Sequence, residues 1–594
     1  MSVFTSKATG NWSASGQTTW NEVGVPGSGD TASIGAHTVT VNVNTTVGTS
    51  PNDATTIVLN LTVASSKIIV AAGVTFTVQG NRGAVNSSTF QQNAGSTVTF
   101  DNSGSGGSPV YTDVNVGLTK YIFNGSLGNI ATIQAIAGQT FKPNASWSLF
   151  TATYMTMRRA SNLQIAQISG NVNISDSVFD TCAYFDPTSN ASTVDFILDR
   201  VEFVSGTDAT NDMTLNFSAV LTSGTRRIYR CKLDKLFTYS AKTFIIDENY
   251  LGGGFHALAS KTVARAPRNN FIQQDGTVNA GNGMGFPFSL DRTYVVVSSP
   301  TRDNPHYLAP SALQGADNNM SQLIFEAQEK DDVDTGDCLL MYGAITSGGN
   351  KIFGKNCIVL PSAYPGTTDT SGTFLTLYTS TVVGFEMYHN TCNVNPAFSG
   401  GRGAFDVAEA GNGVANQVTA IKSNIAWASS PGGGYMGQRM QGNVKDIITP
   451  AGADYNWRFN TSAGDNQIGY EDYAASNTLW TAGDAVAAGV DVHGGTGDPQ
   501  FLDPTRNVAV WCAARGYGAA TYAAGIAALR ADPSRATDLI NYVFEGFKVR
   551  NTSCRTAAHD GGVVGAANFH KASRSLANIT AFRSYASTKY GIAV

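Results

Sequence analysis

The sequence predicts an all-β protein whose strands stack as a parallel β-helix, a solenoid closed by an N-terminal capping coil and a mixed helical and irregular C-terminal cap. Short segments alternate apolar and polar residues, which is typical of strands. They recur at short, fairly regular spacing with Gly and Asn between them, as in stacked coils. Only 14% of the 594 residues are charged and 42% are hydrophobic, which is enough for a large core. The alternative is an array of antiparallel β-sandwiches.

Changes in pattern along the chain predict three regions. We expect residues 1–105 to form the N-terminal cap and the first coils, residues 106–440 the main β-helix, and residues 441–594 the C-terminal cap. The Gly- and Ser-rich run at 101–109 is typical of a linker. Residues 277–320 break the strand pattern, so we expect them to leave the stack as a loop.

The C-terminal cap contains the clearest helical pattern. Residues 520–547 predict two short helices separated by Asp532 and Pro533. Asp532 or Ser534 would cap the second helix, and Gly546 would end it. Capped ends would protect the strand edges that an open solenoid exposes.

Several features concern compartment and partners. The first residues, MSVFTSKATGNWSASG, lack the apolar run of a secretory signal, and no stretch approaches 18 consecutive apolar residues. Seven widely spaced cysteines without a CxxC pair indicate buried free thiols, not disulfides or a zinc site. A net charge of −5 argues against nucleic acid as the main partner. We therefore expect no membrane insertion and no export through a signal pathway.

Residues 10–49 resemble the opening coil of phage and bacterial right-handed parallel β-helix proteins. Three later features resemble the closing segments of phage-encoded β-helix proteins: GDPQFLDPTR at 497–506, Trp511, and AAHDGGVVGA at 557–566. The resemblance implies that Trp and Pro side chains plug the open end of a right-handed stack. The shared skeleton of the opening coil consists of Trp12, Thr19, Trp20, Pro26, Gly29, Asp30, Ile34, Val39, Val41 and Val47.

The resemblance implies a bacteriophage virion protein assembled in the host cytoplasm. Such a protein would form a β-helical spike, fibre or capsid-decorating appendage that binds other virion proteins and contacts the host surface, where a glycan is the expected ligand. The resemblance also implies a homo-oligomer, with a trimer favoured. Because this fold hosts several activities, two alternatives stay open: a tailspike enzyme that degrades host polysaccharide, and a bacterial polysaccharide lyase.

If the protein is an enzyme, a glycoside hydrolase or polysaccharide lyase is the expected class. Glycan cleavage usually needs two carboxylates, which neighbouring coils can supply. The strand-like segments offer Glu386, Asp247 and Glu248. Glu386 is the strongest candidate because His389 follows it closely and an imidazole assists proton transfer. The alternative is that each carboxylate lies on the solvated surface and His389 belongs to a turn. Further candidates are Glu326 and Asp406.

An acidic run at 325–337 suggests a cation site. Asp332, Asp334 and Asp337 offer oxygen ligands to calcium, although the run lacks the Gly and final Glu of an EF-hand loop. The alternatives are an exposed acidic turn or a surface for a basic partner. We expect no other cofactor, since the sequence contains no GxxxxGK[ST] and no HExxH. His559 and Asp560 predict a turn in the cap and not a catalytic pair.

Overall fold

The computed structural model forms two compact units, Met1–Arg265 (unit 1) and Ala266–Val594 (unit 2). It describes residues 2–566 except for 15–16, 49–56, 86–87, 102–109, 117–118, 143–145, 161–162, 166, 183–184, 205–212, 218–220, 235–236, 240–243, 253–254, 258–266, 275–288, 298–306, 309–317, 328–339, 343–350, 361–374, 379–383, 394–402, 408–417, 429–434, 441–451, 461–467, 473–477 and 562.

Unit 1 is a parallel β-solenoid in which the chain repeats a coil of three strands. Each strand pairs in parallel with its equivalent in the next coil, so that Thr38–Val41 pairs with Lys67–Val70, which pairs with Thr89–Asn93. The equivalent strands therefore form three sheets, which we call face 1, face 2 and face 3 in the order that the chain visits them. This arrangement confirms the predicted all-β parallel solenoid.

The strands of unit 1 fall on these faces as follows. Face 1 contains Gly10–Asn11, Thr38–Val41, Lys67–Val70, Thr89–Asn93, Thr119–Asn124, Ser146–Thr153, Gln167–Ile168, Val172–Ser175, Phe196–Asp199, Arg226–Tyr229 and Ile245–Asp247. Face 2 contains Thr45–Gly48, Thr75–Gln79, Thr97–Phe100, Ala131–Ala135, Met155–Arg158, Val178–Asp180, Glu202–Val204, Lys232–Leu233 and Tyr250–Leu251. Face 3 contains Val3–Thr5, Thr31–Ile34, Ile57–Leu61, Asn81–Val85, Val110–Val116, Thr140–Lys142, Leu163–Ile165, Phe185–Ser189, Met213–Phe217, Phe237–Tyr239 and Phe255–Ala257.

Unit 2 repeats the same three-strand coil. Face 1 contains Ser289–Asp291, Asn318–Ser321, Lys351–Lys355, Gly384–Tyr388, Val418–Lys422 and Ala453–Asp454. Face 2 contains Phe271–Gln274, Tyr294–Val297, Ile324–Ala327, Ile358–Val359, Thr391–Asn393, Ile425–Ala428, Trp457–Asn460 and Gly495–Thr496. Face 3 contains Tyr307–Leu308, Leu340–Tyr342, Leu375–Tyr378, Gly403–Val407, Tyr435–Met440, Ile468–Asp472 and Thr478–Thr481, of which the last two pair antiparallel.

Alternation along each strand builds the core. In Thr97–Phe100 the side chains of Val98 and Phe100 are buried and those of the two threonines are half-buried. Successive side chains of a strand point to opposite sides, so the inward rows stack from coil to coil. Each fully buried Val, Ile or Phe contributes about 1.5–3 kcal/mol.

The turn from face 1 to face 2 recurs with the same backbone. Its first residue has a positive φ, and in most members its N–H donates to the carbonyl of the last face 1 residue in the next coil, as from His389 to Lys422. We call this series the turn row. Its members in unit 1 are Tyr154, Asp176, Arg200, Arg230 and Glu248, and its members in unit 2 are Arg292, Gln322, Asn356, His389, Ser423 and Tyr455.

The N-terminal end of unit 1 is closed by two tryptophans. Trp12 and Trp20 are fully buried, with ring centroids 5.1 Å apart and planes at 77°. The Nε1 atom of Trp12 donates to the carbonyl of Pro26 at 3.0 Å, and its ring lies 5.3 Å from the core ring of Phe76. The indoles therefore cover the end of the core column and satisfy their own N–H groups.

The described residues of unit 2 contain four α-helices: α1 (Ala482–Ala487), α2 (Val508–Ala514), α3 (Tyr522–Ala531) and α4 (Ala536–Gly546). Helix α1 precedes the last face 2 strand, Gly495–Thr496, and the other three follow it. The predicted pair corresponds to α3 and α4, and Gly546 is the last residue of α4. Asp532 caps the 3₁₀ turn Pro533–Arg535 that leads into α4, by accepting from the N–H of Ser534. Helices α1 and α2 were not predicted from the sequence.

The described residues also bear on the predicted loop at 277–320, on the cysteines and on membrane spans. Part of the stretch 277–320 is not a loop, because Ser289–Asp291 and Tyr294–Val297 are strands of the stack. All the described cysteines are free thiols, and burial raises the pKa of Cys231, Cys357 and Cys554 to about 12. Among the described residues, no helix has the length and hydropathy needed to span a membrane.

Candidate functional site

The sequence-predicted carboxylates occupy different environments. Asp247 ends a face 1 strand of unit 1 and is buried. Glu248 follows it in the turn row with φ 55°, half-buried, and its carboxylate is hydrogen-bonded to the Tyr229 hydroxyl. Glu248 therefore has a role in the turn, and the buried Asp247 is poorly placed to meet a polymer. Their assignment as catalytic residues stays a prediction.

Glu386 has a more open position in unit 2. It lies half-buried on the face 1 strand Gly384–Tyr388, and its Oε2 accepts a 3.2 Å hydrogen bond from the Tyr388 hydroxyl. Burial and the nearby Glu386 carboxylate raise the pKa of Tyr388 to about 12, so the hydroxyl stays protonated and donating. The predicted calcium ligands Asp332, Asp334 and Asp337 lie outside the described residues.

A ladder of buried amides runs behind the turn row of unit 2. Asn390 donates through its backbone N–H and its Nδ2 to the Oδ1 of Asn424, and Asn424 does the same to Asn456. The ladder ends on Asp491, whose Oδ1 accepts from the N–H of Asn456 at 3.0 Å and whose Oδ2 lies 3.3 Å from the Nη1 of Arg458. Each amide satisfies polar groups that burial would otherwise leave unbonded.

The ladder fixes the backbone of the turn row, so the outward side chains stand at set positions. Burial raises the pKa of Asp491 to about 6, an effect that Arg458 partly offsets. Because the ladder residue follows the turn-row residue directly, Asn390 holds His389 in place and Asn424 holds Ser423.

Residues 557–566, which we call the closing segment, dock on this part of the turn row. Ser423 accepts the N–H of His559 on its Oγ at 2.9 Å and the N–H of Gly565 on its carbonyl at 2.8 Å. The N–H of Ala566 donates to Thr391 Oγ1 at 3.0 Å. Gly565 has φ 88°, and a Cβ there would lie 2.5 Å from Cδ1 of Ile425, so glycine permits the close approach.

Docking brings two histidines and a carboxylate together. His389 Nε2 lies 3.3 Å from Asp560 Oδ2, and the rings of His389 and His559 are 5.3 Å apart. The His559 ring is also 5.4 Å from the ring of Tyr388, which links this group to Glu386. We call His389, His559 and Asp560 the histidine cluster. The predicted turn at His559 and Asp560 is present, but the two side chains also meet His389.

The environment keeps both imidazoles neutral near pH 7. Burial is the main cause that lowers the pKa of His389, and Asp560 opposes it. Partial burial of its ring also lowers the pKa of His559, with His389, Lys422 and Lys355 adding to the effect and Asp560 opposing it. Neutral imidazoles act as proton acceptors, hydrogen-bond donors or metal ligands.

No protein-family model, curated protein or solved structure matches the chain. Function must therefore be inferred from the fold and from the geometry of the cluster.

Sequence reasoning found one half of this site and missed the other. Glu386 and His389 were singled out because they lie three residues apart. His559 and Asp560 come together with them only because the closing segment returns to the stack. The run HDGG indicated a turn, and no local signal tells which coil a turn will meet.

Proposed function

We propose that the protein is a structural component of a bacteriophage virion, a β-helical spike, fibre or capsid-decorating appendage that contacts the host surface. The observation that carries the proposal is the closure of the N-terminal end of unit 1. The residues on which the resemblance to phage β-helix proteins rests are the residues that close this end, Trp12 and Trp20 above all. Their burial supports the family resemblance with a physical role.

The architecture suits a part that must persist outside a cell. Within each unit, each coil is joined to the next by parallel backbone hydrogen bonds, and the inward rows stack into a core. A plugged end keeps the edge strands from pairing with other chains. The closing segment resembles the closing segments of phage β-helix proteins, and its docking on unit 2 gives it a role in finishing the stack.

Mass spectrometry of virions tests the proposal. Particles from the phage whose genome encodes the chain would be purified on a density gradient and digested. The proposal expects its peptides at a fixed ratio to the major capsid protein. Absence from infectious particles, with the chain abundant in the infected-cell lysate, would contradict it. Light scattering on the purified chain tests the trimer, which has three times the chain mass of 62.4 kDa.

A second candidate, a tailspike enzyme that degrades host polysaccharide, is favoured by the position of Glu386. Its carboxylate, the Tyr388 hydroxyl and the histidine cluster share one surface of unit 2. An enzyme would release reducing ends from purified host polysaccharide, and Glu386→Gln would abolish the release. The matched control is Glu202→Gln, which removes a carboxylate of unit 1 that pairs with Lys232. Equal activity of the wild type and Glu386→Gln would exclude this role for Glu386.

A further inference from the structure

We propose that the histidine cluster binds a divalent transition-metal ion such as zinc, and that the ion fastens the closing segment to the turn row of unit 2. One ligand atom from each of His389, His559 and Asp560 lies within 4.8 Å of the other two. The inference is independent of both candidate functions, because it concerns how the chain holds its own C-terminal region.

The hydrogen bonds of the two imidazoles assign their ligand atoms. His389 Nδ1 lies 3.1 Å from the carbonyl oxygen of Val563, and a carbonyl only accepts, so Nδ1 carries the proton. Nε2 of His389 is therefore the nitrogen left to bind an ion, and it faces Asp560 Oδ2 at 3.3 Å. An imidazole nitrogen and a carboxylate oxygen are both atoms that coordinate a divalent cation.

The second histidine also uses its Nδ1 in a contact with the protein. His559 Nδ1 lies 2.8 Å from Ser423 Oγ, a hydroxyl that can accept from an Nδ1–H, and in that tautomer Nε2 is the nitrogen that binds the ion. Metal-binding histidines commonly use the other ring nitrogen to bond an oxygen, which fixes the ring orientation. Here the Val563 carbonyl and the Ser423 hydroxyl have that role. Because Asn424 holds Ser423 from behind, the amide ladder supports the site.

The donor set and the exposure suit zinc. Two imidazoles and one carboxylate are ligands that zinc accepts, at about 2.0–2.2 Å from the ion. Three ligands at those lengths must approach to less than 4.8 Å, which requires small rotations of the side chains. The side chain of Asp560 is 55% exposed and His559 is exposed, so both can rotate while the buried His389 stays fixed. Water from the exposed side completes the coordination.

The site would join parts of the sequence that only the fold brings together. His389 belongs to the turn row, whereas His559 and Asp560 belong to the closing segment. Backbone N–H groups of the closing segment donate to the side-chain oxygens of Ser423 and Thr391. An ion bound across this contact adds its binding free energy to the docked state alone.

Zinc binding to the full chain, prepared without a histidine tag and stripped of metal, tests the proposal. Competition with a chromophoric chelator gives the stoichiometry and affinity, and Co²⁺ gives a visible absorption spectrum that reports nitrogen and oxygen ligation. We expect one ion per chain, and protease cleavage of the closing segment that slows as zinc is added. Absence of zinc and Co²⁺ binding would overturn the proposal.

Variants at the exposed ligands keep the test independent of folding. Loss of a residue that only hydrogen-bonds a metal ligand typically lowers the metal affinity by roughly 10- to 100-fold, and we expect a loss of that size for Ser423→Ala. Asp560→Asn and His559→Gln each remove a ligand and should lower the affinity for zinc by more than that. His493→Gln is the matched control, since His493 pairs with Asp454 at 2.9 Å outside the cluster and its loss should leave zinc binding unchanged. Undiminished binding in Asp560→Asn and His559→Gln, or equal loss in His493→Gln, would overturn the proposal.

Discussion

The turn row has opposite characters in the two units. In unit 1 all of its side chains except that of Tyr154 are charged, and they reach solvent. Arg200 pairs with Asp176 through two hydrogen bonds of 2.5 and 2.8 Å and with Asp199 at 2.7 Å, and its side chain is 42% exposed. In unit 2 the equivalent His389 and Ser423 are buried under the closing segment. Behind them runs the ladder of Asn390, Asn424 and Asn456.

The coils also differ in length. Successive turn-row residues of unit 1 are 18 to 30 residues apart from Tyr154 to Glu248, whereas those of unit 2 are 30 to 34 apart from Arg292 to Tyr455. The longer coils of unit 2 also carry the helical region on their turn row, where Arg292 Nη2 donates to Asn541 Oδ1 at 2.9 Å.

The difference shows that one backbone turn can be stabilised in two ways. A solvated row of ion pairs contributes little, because water and salt screen exposed charges. A covered row depends on buried amides that make several hydrogen bonds each. Removing one of these amides therefore lowers the free energy of unfolding much more than removing an exposed ion pair. Four variants test this comparison.

The largest effect is expected at the amide ladder. Asn424→Ala removes the acceptor of the Asn390 backbone N–H, one acceptor of Asn390 Nδ2 and the donor to the carbonyl of Met387. It also removes one of the two donors to Asn456 Oδ1, which keeps the backbone N–H of residue 424. At about 1–3 kcal/mol for each buried group left unbonded, we expect a loss of roughly 3–5 kcal/mol in the free energy of unfolding. The control is Cys231→Ala at the equivalent position of unit 1, which should cost about 1 kcal/mol. Equal losses in urea unfolding would contradict the comparison.

A pH effect is expected at the end of the ladder. The folded pKa of Asp491 is raised to about 6 from an unfolded value of 3.8, so the folded chain holds this proton more tightly. The stability from the proton is complete below about pH 4 and is lost as the pH rises to about 6, with a slope of up to about 1.4 kcal/mol per pH unit. Asp491→Asn should lack this slope between pH 4 and pH 6 in thermal unfolding. An unchanged slope would show that Asp491 does not titrate there.

A smaller loss in the free energy of unfolding is expected when the docking of the closing segment is disturbed. Gly565→Ala places a Cβ against Ile425 and should cost about 1–3 kcal/mol, releasing the segment to proteases. Gly561→Ala is the matched control, because Gly561 also has a positive φ but no atom lies within 4 Å of its Cβ position. If both variants are cleaved at the same rate, the contact with Ile425 contributes nothing.

The smallest effect is expected in the charged row of unit 1. Arg200→Gln removes its pairs with Asp176 and Asp199 and should cost less than about 1 kcal/mol, because the guanidinium is half-exposed. The cost should shrink further as salt is added. Denaturation at low and high ionic strength measures it, and a loss as large as that of Asn424→Ala would remove the distinction between the rows.

The sequence allowed the fold to be predicted, because alternation and the opening coil are local signals. Val98 and Phe100 show which side of a strand is buried, and Trp12 and Trp20 mark the first coil. The turn row left no such signal, since Tyr154, Asp176, Arg200 and the others adopt a positive φ without being glycine. Their conformation costs about 1–3 kcal/mol each unless the next coil stabilises it, and that coil is distant in the sequence.

Spin-label distances along face 1 test the stacking of coils most directly. Through the pairing registers, Ile122, Asn173 and Arg227 lie three, five and seven coils from Thr40. At about 4.8 Å per coil, labels paired with Thr40 should be about 14, 24 and 34 Å apart. Distances that do not grow with the number of intervening coils, as in an antiparallel sandwich, would contradict the account.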